Sequence, residues 1–267
     1  MDVNTIVCMD AFDYLKMLPD NSVDLTVTSP PYDNLRAYKG YSWDFEGIAH
    51  QLYRVLKVGG VVVWVVGDST VDGSETLTSF KQVIYFKEQV GFRVHDTMIW
   101  EKISGTPGLH KKRCTPSFEF MFVISKGEPL TFNPPLEKTI SGRKRKLKAG
   151  ASSRGGWKHD STERHDVKPL KVMLNVWQFD VGFGRTSTDG TNEHPAMMPE
   201  ALAKRHILTW SNPGDIVLDC FMGSGTTAKM ARANNRQFIG CDLSQEYVEI
   251  ANKRLALPYN VLLPGME

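Results

Sequence analysis

The stretch Asp219-Cys220-Phe221-Met222-Gly223-Ser224-Gly225-Thr226-Thr227 decides how the chain folds. It joins an apolar run, Ile216 to Cys220, that reads as a strand to Thr226 to Ala233, which reads as a helix. Gly223 and Gly225 permit a tight turn and let a ligand approach the backbone, while the start of the helix supplies unpaired N–H groups. The next strand, Gln237 to Cys241, ends at Asp242. From that position in doubly wound sheets an acidic side chain accepts hydrogen bonds from ribose hydroxyls. Strand, glycine turn, helix, strand and acid together describe the nucleotide-binding half of an α/β sheet. Alanine, at Ala228, stands where a dinucleotide fingerprint would place its third glycine, so dinucleotides and other nucleotide cofactors both remain compatible with the turn.

Helical patterns in Glu200 to Trp210 and Ser244 to Leu255 flank this unit, with Ser244 placed to cap the second. The N-terminal half repeats the alternation. Thr5 to Met9 reads as a strand ending at Asp10, Ala11 to Leu18 as a helix, and Val23 to Val27 as a strand. A helical pattern in Phe45, Ile48, Leu52, Val55 and Leu56 is expected to end at Gly59-Gly60, and Val61 to Val66 is a continuously apolar strand. Such a strand expects cover on both faces, as in a parallel sheet flanked by helices. Leu77 to Val90 reads as one helix, and Phe92 to Trp100 and Phe118 to Ser125 as strands. The expected architecture is therefore α/β, a Rossmann-like mostly parallel sheet with helices on both faces and an antiparallel late strand.

The second informative stretch is Thr28-Ser29-Pro30-Pro31-Tyr32, where a buried strand gives way to a loop. Consecutive prolines hold Ser29 and Pro30 extended and leave carbonyls with no local donor. A hydroxyl, a rigid row of acceptors and an aromatic face suit a planar, amine-bearing ring. Taken alone, Ser-Pro-Pro-Tyr also describes a rigid turn.

With 267 residues the chain can bury a substantial core, and its formal charge of +2 announces no particular partner. Cys8, Cys114, Cys220 and Cys241 are scattered without metal-like pairs, which reads as reduced thiols in a cytoplasmic protein with no metal site. There is no basic-then-apolar leader, and the longest apolar run, Val61 to Val66, is too short for a bilayer, so no membrane partner is expected. Periodicity fades from Glu128 to about Glu193, where Arg143-Lys144-Arg145-Lys146 begins a basic, glycine-containing segment. Such a segment suits either a solvated loop or an element that contacts phosphates.

The two motifs together, Thr-Ser-Pro-Pro-Tyr early and Phe-x-Gly-x-Gly-Thr-Thr late, resemble the S-adenosylmethionine-dependent DNA amino-methyltransferases. Catalytic motif first, cofactor loop last and an insertion between them is the order of the β class of that family. The resemblance implies a catalytic half in 1–127, a target-recognition insertion in 128–193 and a cofactor-binding half in 194–267. It assigns catalysis to Ser29, Pro30, Pro31 and Tyr32. It assigns the cofactor to Asp10 and Ala11, to His194, Pro195 and Glu200, and to Asp219, Phe221, Gly223, Ser224, Gly225, Thr226 and Asp242. DNA contacts are expected from Arg36, Lys39, Lys111, Lys112, Arg113, Arg143, Lys144, Arg145 and Lys146. Cys220 departs from the proline common in the family.

Serine rather than aspartate at position 29 resembles the cytosine-N4 enzymes, with adenine-N6 as the alternative acceptor. No covalent intermediate is needed, and the cytosine-C5 route is excluded because no Pro-Cys pair occurs. The implied partner is double-stranded DNA, and the resemblance leaves room for a cognate restriction endonuclease and a homodimer. A non-catalytic DNA-binding protein on the same fold is the rival from another class. A nicotinamide-dependent oxidoreductase would give Ser29-Pro30-Pro31-Tyr32 no role.

Overall fold

The computed structural model describes residues 1–31, 43–103, 112–139, 169–180, 187 and 198–257. In chain order the elements are β1 (Thr5–Cys8), α1 (Ala11–Met17), β2 (Val23–Thr28), α2 (Phe45–Val55), β3 (Leu56–Val66), β4 (Thr70–Val71) and β5 (Ser74–Glu75). There follow α3 (Thr78–Tyr85), which runs on as a π-helical turn over Phe86–Val90, then β6 (Arg93–Lys102), β7 (Phe118–Ser125), β8 (Leu136–Lys138) and β9 (Leu170–Val172). The last are β10 (Val176–Phe179), α4 (Glu200–Trp210), β11 (Ile216–Asp219), α5 (Thr226–Ala233), β12 (Gln237–Asp242) and α6 (Gln245–Ala256). Two compact units result, 1–133 with 175–267, and 134–174.

Among the described residues of the larger unit, eight strands form one sheet in the order β1-β12-β11-β2-β3-β7-β6-β10. All neighbouring pairs are parallel except the two that β7 makes, with β3 and with β6, so β7 is the antiparallel late strand. Period-two alternation in β3 shows why both faces are covered. Val62, Trp64 and Val66 join a core with Leu15 of α1 and Leu52 of α2, while Val61, Val63 and Val65 are equally buried on the other face.

Three expectations need correction. The Gly59-Gly60 pair does not cap α2: the helix stops at Val55, Leu56 is already extended, and both glycines lie inside β3. The β2–β3 register jumps from Val23↔Leu56 to Leu25↔Val61, and Gly59 takes φ +83° at that irregularity. The pair thus serves a bulge, the other physical use of glycine in a strand. Leu77 to Val90 is an α-helix followed by a π turn, ended by Gly91 at φ +93°. Val176–Phe179, within the stretch whose periodicity fades, is a strand that adds to β6. Four residues at a sheet edge are too few for a periodic signal.

The smaller unit contains the antiparallel pair β8 and β9, with Leu136 opposite Val172 and a Glu137–Lys171 ion pair at 3.0 Å. Arg143, Lys144, Arg145 and Lys146 lie outside the described residues. Among the described residues no helix is long and apolar enough to cross a membrane, and no group of His, Cys, Asp and Glu is arranged to hold a metal.

Candidate active site

Strand order places the site. From β2 the chain crosses through α2 to β3 on one side, and from β11 it crosses through α5 to β12 on the other, yet β2 and β11 are neighbours. The crevice between them is the topological switch point, outside the carboxyl ends of the strands, where open α/β sheets take ligands. Asp10, Asp242, Asp219 and Ser29 follow or end β1, β12, β11 and β2, four consecutive strands, so they span about 14 Å of one rim.

Each acid is held by its own turn. Asp10 caps α1, its Oδ1 accepting from the N–H groups of Phe12 (2.9 Å) and Asp13 (3.3 Å), with Ala11 buried behind it. Asp242 accepts from Gly223 N on Oδ2 (2.8 Å) and from Ser244 N on Oδ1 (2.9 Å), which fixes its carboxylate beside the glycine turn. Burial raises its pKa, and the two backbone donors oppose that rise. Asp219 is buried, and Oδ1 accepts from Thr28 Oγ1 (2.6 Å) and Phe221 N (3.0 Å). Burial pushes its carboxyl up to about 6, with the Thr28 hydroxyl, the Phe221 N–H and the Thr227 hydroxyl working against the rise and the neighbouring Asp242 adding to it.

The glycine turn is built from beneath. Gly223 and Gly225 take φ of +50° and +82°, and a Cβ on Gly225 would come within 2.7 Å of Ala251 Cβ on α6. Arg254, fully buried on α6, donates to Ser224 O (2.7 Å), Ser224 Oγ (3.0 Å) and Thr226 Oγ1 (3.3 Å). It also pairs with Glu200 (2.8 Å), which takes a bond from Lys229 at 2.7 Å. Ser224, Thr226 and Glu200 therefore face inward to this cluster, and α5 starts with no side-chain cap. From above, the turn offers backbone. Phe221 stands edge-on to Trp43, 5.2 Å between centroids.

Ser29 and Pro31 are half-buried and Pro30 is buried. Tyr32, Arg36, Lys39, Lys111, His194 and Pro195 lie outside the described residues. Lys112 is exposed, whereas Arg113 donates to Thr70 Oγ1 and Gly73 O, both at 2.6 Å, and so fastens the β4–β5 hairpin. Burial pushes the thiols of Cys220 and Cys241 up, which keeps both protonated and inert as nucleophiles.

Sequence reasoning quoted Thr28 in its motif without a role and missed Trp43, Gly240 and Arg254. Two of these left a signal. Arg254 shares a helical face with the apolar Ile250 and Ala251, and a charge at a core position asks for a partner. Gly240 interrupts a strand, where a close approach is expected: a Cβ there would overlap Met222 Cε and the Asp219 carbonyl oxygen.

A doubly wound sheet with a glycine turn and acids along its carboxyl rim defines an α/β protein that binds a nucleotide-type cofactor. The chain belongs to the N6_N4_Mtase family, described as DNA methylase, which it matches over residues 23–253. It is 52% identical over 253 residues to the orphan methyltransferase M.BamHII of Bacillus amyloliquefaciens, covering 93% of this chain and 94% of that one. Among solved structures it resembles the cytosine-N4-specific PvuII DNA methyltransferase (TM-score 0.70, 22% identity, 96% of this chain and 87% of that one), a likeness of fold. It also resembles the M1.HpyAVI-SAM complex (TM-score 0.59, 26% identity, 94% and 98%).

Proposed function

We propose that this DNA methyltransferase moves a methyl group from S-adenosylmethionine to the exocyclic N4 amine of a cytosine swung out of double-stranded DNA. The observation that carries this reading is adjacency. Ser29 follows β2, the glycine turn follows the neighbouring β11, and the Thr28–Asp219 hydrogen bond joins them. An amine held at one and a donor held at the other would meet across the switch-point crevice.

The donor set suits the cofactor. Asp242 is fixed beside the turn with lone pairs left for ribose hydroxyls, and Gly223, at φ +50°, brings no side chain between the backbone and a ligand. To Asp10, which follows β1, the next strand but one from β11, we assign the adenine amine. S-adenosylmethionine, when bound, supplies a methyl group activated on a sulfonium sulfur. Ser29 Oγ and the Pro30 carbonyl accept the hydrogens of the base amine, whose lone pair is otherwise conjugated into the ring, and favour a pyramidal nitrogen aimed at the donor. The same acceptors stabilise the positive charge that grows on that nitrogen, while Tyr32 stacks on the base. Serine at position 29 supports cytosine-N4. The adenine-N6 reading is kept because the family spans both amines.

Ser29→Ala and Tyr32→Ala proteins that still bind S-adenosylmethionine should lose roughly 100-fold in single-turnover methylation. Wild-type rates in both would sink the mechanism, and nucleoside mass spectrometry of the product separates N4-methylcytosine from N6-methyladenine. We assign target recognition to 128–193, between the catalytic half, 1–127, and the cofactor half, 194–267, with Arg143, Lys144, Arg145 and Lys146 on phosphates. Neutralising all four should lower the salt slope of DNA binding by up to about 3 to 4, and an unchanged slope refutes that assignment. We place the enzyme in the cytoplasm, in a restriction–modification setting.

A further inference from the structure

The β2–β11 ladder is short. Only Val217↔Leu25 and Leu218↔Thr26 pair, so backbone pairing stops before Thr28 and Asp219, where the two motifs begin. Beyond that point two hydroxyls take over. Thr28 Oγ1 donates to Asp219 Oδ1 at 2.6 Å, and Thr227 Oγ1, at the start of α5, donates to the Val27 carbonyl at 3.1 Å. The Asp219 oxygen that receives Thr28 also receives Phe221 N at 3.0 Å, so a single atom gathers the end of the catalytic strand and the start of the glycine turn.

Packing alone does not explain a threonine there. Thr28 is fully buried at the end of a strand, where valine has the same shape and at least the same strand preference. What valine lacks is the donor. A buried hydroxyl beside a buried carboxylate is retained only where the bond between them matters, because each costs free energy when unpaired.

We propose that Thr28 is a positioning residue: its hydroxyl ties the backbone that delivers Ser29 to Asp219 and the glycine turn, so that seating the methyl donor also sets where Ser29 stands against the acceptor amine. Thr28 touches neither the donor nor the base. It acts through Asp219 on one side and through Ser29 on the other. This rests on the reading of Ser29 as the amine acceptor, and the experiment below separates the two.

The test is a cycle of Thr28→Val, Asp219→Ala and the double variant, with Thr28→Ser as the conservative control. Calorimetric titration with S-adenosylmethionine and single-turnover methylation at saturating donor and DNA are both measured. Thr28→Val should bind the donor several-fold more weakly and, with the donor saturating, transfer methyl roughly tenfold more slowly. Thr28→Ser should restore both to within about threefold, and the double variant should bind the donor no worse than Asp219→Ala alone. Wild-type behaviour of Thr28→Val, a Thr28→Ser protein as defective as Thr28→Val, or additive losses in the double variant would each overturn the proposal. If Thr28→Val fails to fold, the serine control and the Asp219→Ala comparison still decide, since a merely structural methyl contact predicts no rescue by serine. A wild type that binds the donor but methylates no base amine would sink the functional reading alone. The calorimetric cycle, which needs no turnover, would then still decide whether Thr28 and Asp219 act as a unit.

Discussion

Two turns meet at the switch point, and they are made rigid in opposite ways. The glycine turn after β11 has little stiffness of its own, and tertiary contacts supply it: Asp242 from β12, Arg254 and Ala251 from α6, and Asp219 at its own start. The proline turn after β2 is stiffened covalently by Pro30 and Pro31 and is tied to its neighbour through Thr28. Flexible sequence needs a surrounding fold to give it one shape. Damage to the glycine turn should therefore lower stability and donor affinity together, whereas Ser29→Ala should lower the methylation rate far more than donor affinity.

The sharpest way to break this contrast is Arg254→Met, which strips the donor from the Ser224 carbonyl and leaves Glu200 with one cation fewer in the interior. Unpairing a buried ion cluster should cost about 3–5 kcal/mol in denaturant unfolding. A loss below about 1 kcal/mol would mean that the turn holds itself. Next is Gly240→Ala, whose methyl would press into the Asp219 carbonyl oxygen and Met222 from the neighbouring strand. A cost of roughly 2–3 kcal/mol is expected, with weakened donor binding in the fraction that folds. Unchanged calorimetric affinity in that variant would uncouple the turn from its neighbours.

The smallest effect lies on the bond between the two turns. Asp219 titrates at about 6 in the fold against an ordinary 3.8, so the folded chain holds this proton more tightly than the unfolded one. Its contribution to stability is full below about pH 4 and is lost as pH rises through about 6. Asparagine keeps an acceptor for Thr28 and Phe221 but does not titrate. The stability of the wild type relative to Asp219→Asn should therefore fall by on the order of 2 kcal/mol between about pH 4 and pH 7. A difference flat with pH would show that Thr28 and the backbone donors hold the carboxylate at its ordinary acidity.

Much of this molecule was legible in the order of its residues. Apolar runs such as Val61–Val66 gave the strands, and Gly223 and Gly225 before Thr226 gave the turn that opens α5, because strand burial and left-handed turns are local demands. The family could be read from the two motifs and their order. Glycine misled where its two uses look alike in sequence, as at Gly59-Gly60, and β10 was too short to leave a pattern. Partnership across the chain was decided only by the tertiary structure. Residues 191 positions apart, Thr28 and Asp219, share a hydrogen bond because β2 and β11 became neighbours, and Arg254 reached Ser224 only once α6 had packed under the turn. Local preference fixes which residues form strands and turns, but which of them touch depends on the order in which strands line up in the sheet, and that order is set by burying all their faces at once.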